Sequence, residues 1–491
     1  MMRSAWKKDA LYLFTSVRGG GGHGHADDNG IILFGNGKRL LVDSGKFTYN
    51  SYDPARIYGV STQGHNTVVI NDTSQRSGWS DDINEVRGTV HRWLTNSKFD
   101  FLSQSTAAYP EHEHMRNILF SKSGFAVVSD KIMPKDGTKV NNYKQYWHML
   151  PSANITADNE NKLIYSDFSD GKNIIAASAD DAKVNLEDGY YHSGSSVDNI
   201  KAGYFEKSAA GDVTLDTVLY PTKSTSDAVI AERIDTEKTT DKATAFKFTV
   251  SEKSGTVTYY YMYNYEFENG EPITFGNYSS DARMALAGVN ENGETTELIM
   301  ADGSFIKQNN SVLLDMGVKT SDIAFNQSGR GAELTTSDES VSPRNISVKE
   351  TQNISYVKFN GVHKEYDIVN GLIRPSDKTA KAVDREELEK YVITGATVKS
   401  DDGKTYLIDD ISFEKTTGAA GEKITYSVSD PSLIDEHGIV TRGLVDRFVT
   451  ITAYITETDG TEKEICFEYT VPGKYHAVSN GENPSRGERI T

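Results

Sequence analysis

The chain has 491 residues, too many for one ordinary domain, and 37% of them are hydrophobic, enough to bury a core. With 70 acidic residues against 52 basic ones the formal charge is −18, which argues against a nucleic-acid binder, and no apolar run approaches the ~18 residues of a membrane-spanning helix, so no membrane insertion is expected. Cys466 is the single cysteine, which excludes a disulfide scaffold and a cysteine-based zinc module.

From Trp6 to about Gly317 the pattern is almost all strand. Segments such as GIILFGNGKRLLVDSG, HNTVVIND, NILFSKSGFAVVSDKIM, VTYYYMYNYEF and SVLLDMG are rich in β-branched and aromatic residues. Gly/Asn/Asp turns separate them. Asn36-Gly37 and Asp136-Gly137 are the strongest short hairpin signals. The fold class is therefore all-β, with a large multi-sheet antiparallel β-sandwich over residues 1–317. Residues 318–380 are less hydrophobic; SGRGAELTTSDESVSPRN predicts a loop, and ISVKE and ISYVKFNGV predict accessory strands. AVDREELEKYV predicts one short helix with Asp384 as its N-cap. A compact strand series fills the rest of 381–473, and 474–491 is a polar tail expected to be disordered. No repeat of 20–50 residues is evident. The N-terminus enters a strand pattern without the apolar segment of a leader, and both ends read as cut rather than finished.

Charge is unevenly spread. Residues 1–122 carry 14 basic and 12 acidic side chains, a net of +2, so the remainder holds −20. The first quarter can therefore face an anionic ligand. It also holds the chemistry. His23 and His25 sit two apart, so an extended backbone turns both imidazoles to one side. Asp43 follows the apolar strand RLLVDSG, and His65 opens HNTVVI. Two histidines and a carboxylate from the ends of neighbouring strands suit a zinc ion. Spacing alone is a weak signal, since a lone histidine is more often satisfied by the backbone than by a metal. The run Gly19–Gly22 is no phosphate loop, since it lacks Lys-Ser/Thr and opens no helix.

GHGHADDNGIILFGNGKRLLVDSG followed by GHNTVVIND resembles the C-terminal sandwich domain of the heparinase II/III-like polysaccharide lyases. His114 and Arg116 in EHEHMRNILF, SGFAVVSDKI, and His148 in QYWHMLP extend the resemblance over roughly residues 1–315. It implies that His25, Asp43 and His65 hold a mainly structural Zn2+, with Asp27 or Asp28 supporting the ligands, and that His23 is the catalytic histidine this domain contributes. Such enzymes cleave the 1,4 linkage to a uronic acid by β-elimination. They neutralise the carboxylate, remove the C5 proton with a base and protonate the leaving oxygen. The family sets an α/α-toroid with the catalytic Tyr before the sandwich. No helical repeat occurs here, so the toroid is expected upstream or in a partner chain. The expected partner is an anionic uronate polysaccharide. The C-terminal strand series resembles the bacterial immunoglobulin-like modules of secreted carbohydrate-active enzymes, with Tyr426 where they commonly carry Trp; another small sandwich is the alternative. Together these imply a secreted or bacterial cell-surface protein. A non-catalytic carbohydrate-binding protein with a structural zinc is the alternative function.

Other residues carry weaker signals. Arg56 and Tyr58 in DPARIYGVSTQGHN, with Tyr49 and Tyr52 just before, read as a loop able to bind a uronate carboxylate and sugar rings, or as loop packing. Arg76, Arg87, Arg92 and Arg116 read either as a polyanion-attracting set or as solvated charges. His112 and His114 are expected to divide between packing and hydrogen bonding rather than to bind a second metal. Trp79, Trp93 and Trp147 are expected in the core.

Overall fold

The computed structural model describes the chain except residues 18–23, 47, 77–87, 195, 225–226, 239–240, 253–254, 329–330, 351–353, 355, 380–396, 400–403, 409, 412, 414–422, 444, 457–459, 461 and 474–491. His23, Trp79, Arg87, the helix predicted near 382–392 and the polar tail fall outside the described residues. The chain forms two compact units: 1–293 with 298–324 and 336–339, and 294–297 with 325–335 and 340–491.

The first unit is layered. Its middle layer is an eight-stranded antiparallel sheet in the order Asn154–Asp158, Leu163–Asp167, Asn173–Ser178, Val213–Thr222, Phe125–Pro134, His112–Ser121, Phe99–Tyr109, Gly88–Thr95. Successive side chains of a strand point to opposite faces, and here both faces are covered. Phe99, Phe101, Leu119, Phe125, Val127 and Val218 pack on one side with Phe246, Phe248, Tyr261, Met284 and Leu286. Those partners come from the antiparallel ladder Ala228–Arg233, Ala243–Glu252, Gly255–Asn264, Met284–Asn290. Leu102, Ile118, Phe120, Ala126, Val128 and Leu219 alternate with them and pack on the other side with Leu13, Ile31, Leu33, Leu41, Trp147 and Phe205. This double burial is why the central strands read as unbroken apolar runs rather than as an in–out alternation. Each such side chain taken out of water contributes about 1.5–3 kcal/mol.

Two four-stranded sheets form that second face. One runs Met2–Arg3, Tyr12–Thr15, Ile31–Gly35, Lys38–Leu41, and the other Lys183–His192, Val197–Ala209, Asn141–His148, Val68–Ile70. The Asn36-Gly37 hairpin forms as expected, with φ of 60° and 75° at its two corner residues. Asp136-Gly137 does not make one. The strands on either side of it, Phe125–Pro134 and Asn141–His148, belong to different sheets, so the turn carries the chain from one layer to the next. Trp147 is core as expected, whereas Trp93 is 41% exposed on the outermost strand of the middle sheet.

In the second unit the expected loop SGRGAELTTSDESVSPRN is interrupted by the strand Gly331–Thr335, which pairs in parallel with Tyr356–Phe359. Val362–Val369 and Leu372–Thr379 continue the ladder. A five-stranded sheet follows in the order Thr397–Lys399, Thr405–Leu407, Glu462–Val471, Arg447–Thr456, Lys423–Val428. It has its own core of Leu407, Ile424, Leu433, Ile434, Val449, Ile451 and Phe467. In its HGIV turn Gly438 has φ +81°, and a Cβ there would sit 2.2 Å from the Ile411 carbonyl oxygen, so only glycine fits.

A histidine–aspartate cluster between the strands

Three connecting segments converge beside the small sheets. Asp43 lies two residues past the strand Lys38–Leu41. His65 caps a 3-10 turn, Thr62–Gly64, just ahead of Val68–Ile70. His25 lies on the segment tied to the rest by the Ala26 N–H donating to the Val60 carbonyl at 2.9 Å. Between them runs a helix, Pro54–Val60, where the sequence reads as a loop. Seven residues give no helical periodicity, but its start is written plainly: Asp53 accepts from the Ala55 and Arg56 N–H groups, and Pro54 takes the first position.

The ligand atoms of His25, Asp43 and His65 all lie within 4.8 Å of one another, the one such group found among the described residues. His65 is fully buried, with Nδ1 2.6 Å from Asp43 Oδ2, while Asp43 keeps about a third of its side chain exposed. The second Asp43 oxygen accepts from the Gly45 N–H at 2.9 Å. The His25 and His65 rings are 5.4 Å apart, centre to centre. Burial alone would raise the Asp43 carboxyl, but the charge and hydrogen bond of His65 and the Gly45 N–H hold it down at about 2. Burial and the neighbouring His65 push His25 below the ordinary histidine value, favouring the neutral ring. Two imidazoles and an ionised carboxylate this close, with His65 buried and Asp43 partly open, are a donor set that fits a zinc ion.

The residues around the cluster are wired to one another. Asn66, next to His65, donates to the Ile31 and Val42 carbonyls at 2.8 Å and accepts from the His148 N–H at 2.7 Å. His148 is buried, its Nε2 2.9 Å from the Tyr58 hydroxyl and its Nδ1 3.0 Å from Asn66 Oδ1. Burial and the nearby His65 push its pKa down to about 4. Tyr58 is therefore not open on a loop. It is buried, and burial together with Glu187 raises its hydroxyl well above the tyrosine range. A Cβ on Gly64 would meet the Tyr58 carbonyl oxygen at 2.6 Å, so glycine there lets the His65 segment lie against the helix.

The remaining candidates separate cleanly. Tyr52 and Tyr49 are exposed, at 89% and 64%, and the Lys46 ammonium sits 3.3 Å from the Tyr49 ring centre with the Arg56 guanidinium 5.7 Å from it. Asp28 turns away from the histidines: its Oδ2 accepts from Thr106 Oγ1 at 3.0 Å. Asp27 acts on His25 as the lesser of two carboxylates, after Asp43. Arg116 is neither a solvated charge nor a polyanion contact. It is fully buried, with Nε and Nη2 on Asp130 at 2.7 and 2.6 Å and Nη1 on the Asn29 and Asn66 carbonyls. His114 joins it on Asp130 at 2.8 Å, and His112 packs against Tyr109 and Tyr143. Arg92 is paired with Asp302, and Arg76 donates to the Ala107 carbonyl. Asn66 gave no advance signal in the sequence, since a buried asparagine joining four segments has no local pattern.

Residues 6–206 match the family model of the heparinase II/III-like C-terminal domain. A heparin-sulfate lyase of Pedobacter heparinus is 26% identical over 200 residues, 38% of this chain and 28% of that protein. One from Bacteroides stercoris is 23% identical over 179 residues, 35% of this chain and 25% of its own. The chain thus spans about a quarter of the length of these relatives. The crystal structure of the Pedobacter heparinus heparan sulfate lyase HepC covers 51% of this chain and 39% of its own, at 22% identity and a TM-score of 0.44. A heparinase III structure covers 54% and 41%, at 14% identity and a TM-score of 0.45. The similarity of this chain to the heparinase II/III-like family thus lies in the C-terminal-type sandwich domain at residues 6–206.

Proposed function

We propose that this chain is the zinc-binding sandwich half of a polysaccharide lyase that cleaves a uronic-acid-containing polysaccharide, such as a glycosaminoglycan or alginate, by β-elimination. The observation that carries this is the convergence of His25, Asp43 and His65 from three separate segments into one metal-sized group. Bound there, Zn2+ would supply a cross-link among those segments. His23, two residues before His25 in the sequence, is assigned the catalytic role on the reacting sugar. Tyr52 and Tyr49 offer exposed ring faces to a sugar, and Lys46 and Arg56 beside them attract its carboxylate. Tyr58 and His148 act behind the surface, as braces. The catalytic Tyr and the rest of the carboxylate-neutralising set come from an α/α-toroid, upstream or in a partner chain. We place the protein outside the cell or on the bacterial surface, with the second unit's five-stranded sheet as an immunoglobulin-like module.

The test is an ultraviolet assay for unsaturated uronate on heparan sulfate, hyaluronan, chondroitin sulfate and alginate, using the protein with its toroid. Turnover on one polymer, lost in His23→Ala with zinc content and fold intact, supports the reading. Full activity in His23→Ala overturns the catalytic assignment. Binding without products in the toroid-bearing protein favours a carbohydrate-binding role instead.

A further inference from the structure

A cationic site lies on the first unit and shares no residue with the histidine–aspartate cluster. It is an open cavity of about 480 Å³ lined by Arg92, Arg283, Lys319, Asp302 and Phe267. Five stretches build it: the edge strand Gly88–Thr95, the turn Phe267–Asn269, the turn ahead of Met284–Asn290, the strand Thr295–Gln308 and the middle of Ser311–Ser328. Asp302 Oδ1 accepts from Arg92 Nη2 at 2.6 Å, and Oδ2 accepts from Arg92 Nε at 3.1 Å and Arg283 Nε at 2.8 Å. One carboxylate thus orients two guanidinium groups, and Arg283 is further held flat over the Phe267 ring at 3.7 Å. Lys319 is exposed and reaches the Phe267 carbonyl at 3.5 Å. Three positive charges face one negative one, in a protein whose formal charge is −18. A surplus of two fixed cations, pre-oriented by a shared carboxylate, is the arrangement that recognises an oxyanion. The cavity is too open to enclose a small ligand and suits one residue of a chain running across it.

We propose that this cavity is an auxiliary binding site for an anionic sugar unit, a sulfate ester or uronate carboxylate, of a polysaccharide held elsewhere on the protein. The polysaccharide partner rests on the function proposed above; the oxyanion site itself does not. A second grip on the same polymer converts weak local contacts into avidity, because the tethered unit binds at a high effective concentration.

The experiment is hydrogen–deuterium exchange and calorimetry on the full chain with a heparin octasaccharide and, separately, an alginate octasaccharide. The expected result is protection of 88–95 and 315–324, and a loss of affinity of about fivefold to tenfold in Lys319→Glu, together with loss of that protection. Arg92→Gln should act in the same direction, and raising the salt should weaken both. Protection by heparin alone assigns the site to sulfate esters, and protection by both assigns it to carboxylates as well. Unchanged affinity and exchange in both variants, or protection by neither octasaccharide, overturns the proposal. Protection here without protection of 43–65 would leave this site standing and count against the proposed function.

Discussion

Two carboxylates of the first unit sit among cationic partners, and they do different things. Asp130, on the central strand Phe125–Pro134, is fully buried and takes Arg116, His114 and Gln145 at 2.6–2.8 Å. Asp43, on a connection, holds one histidine at 2.6 Å, has a second within the same cluster and remains partly open. The first group is saturated by protein donors on rigid strands, so it can only stabilise. The second gathers nitrogen and oxygen ligands on loops, the chemistry of a metal site. They are linked, because Arg116 also donates to the carbonyls of Asn29 and Asn66, and Asn66 directly follows His65 in the chain. The buried pair props the segment that carries the open one.

The comparison breaks most sharply at Arg116. Arg116→Met leaves Asp130 buried without its main counter-charge, and the expected loss is about 3–5 kcal/mol, or failure to fold, read by chemical denaturation. Trp147→Ala in the same core should cost about 3–5 kcal/mol without touching either carboxylate. Asp43→Asn should weigh differently from Arg116→Met: zinc binding falls steeply, while stability measured in chelator falls by about 1–3 kcal/mol. Tyr58→Phe removes the hydroxyl contact with His148 and should cost about 1 kcal/mol, with a modest drop in metal affinity and no loss of the ligand set.

Acid separates the two groups more finely. Both carboxyls lie lower in the folded chain than in the unfolded one: burial opposes ionisation, but Arg116 and His114 at Asp130, and His65 at Asp43, outweigh it. Each therefore contributes stability that is fully present above about pH 4, the unfolded carboxyl value, and is lost as pH falls below it. For Asp43 the loss should run from about pH 4 down through about pH 2. For Asp130 it should extend lower, so acid unfolding of Asp43→Asn should still show the larger Asp130 component, read by circular dichroism across pH 2–5.

Much of this was legible in the sequence. The double-faced strands announce themselves as unbroken apolar runs, and Asn36-Gly37 forces its hairpin by backbone geometry alone. His25, Asp43 and His65 were legible as residue types at strand ends, and the structure brings them together. Asp136-Gly137 misled because a turn signal fixes the local bend and not which sheet the next strand joins. Arg116 misled because a buried arginine looks like a surface one until its partner on the neighbouring strand is known. The helix at Tyr58 is too short to show a period, and the bracing by Asn66 and His148 is wholly long-range.

The most direct test of the account is the metal content of the purified chain after exhaustive dialysis, measured by mass spectrometry for the native chain and for His25→Ala and Asp43→Ala. About one zinc per native chain, lost in both variants while the far-ultraviolet spectrum stays that of a β-protein, is the expected result. A native chain that takes up no zinc when it is offered, or variants that keep it, would contradict the claim that His25, Asp43 and His65 form a metal site.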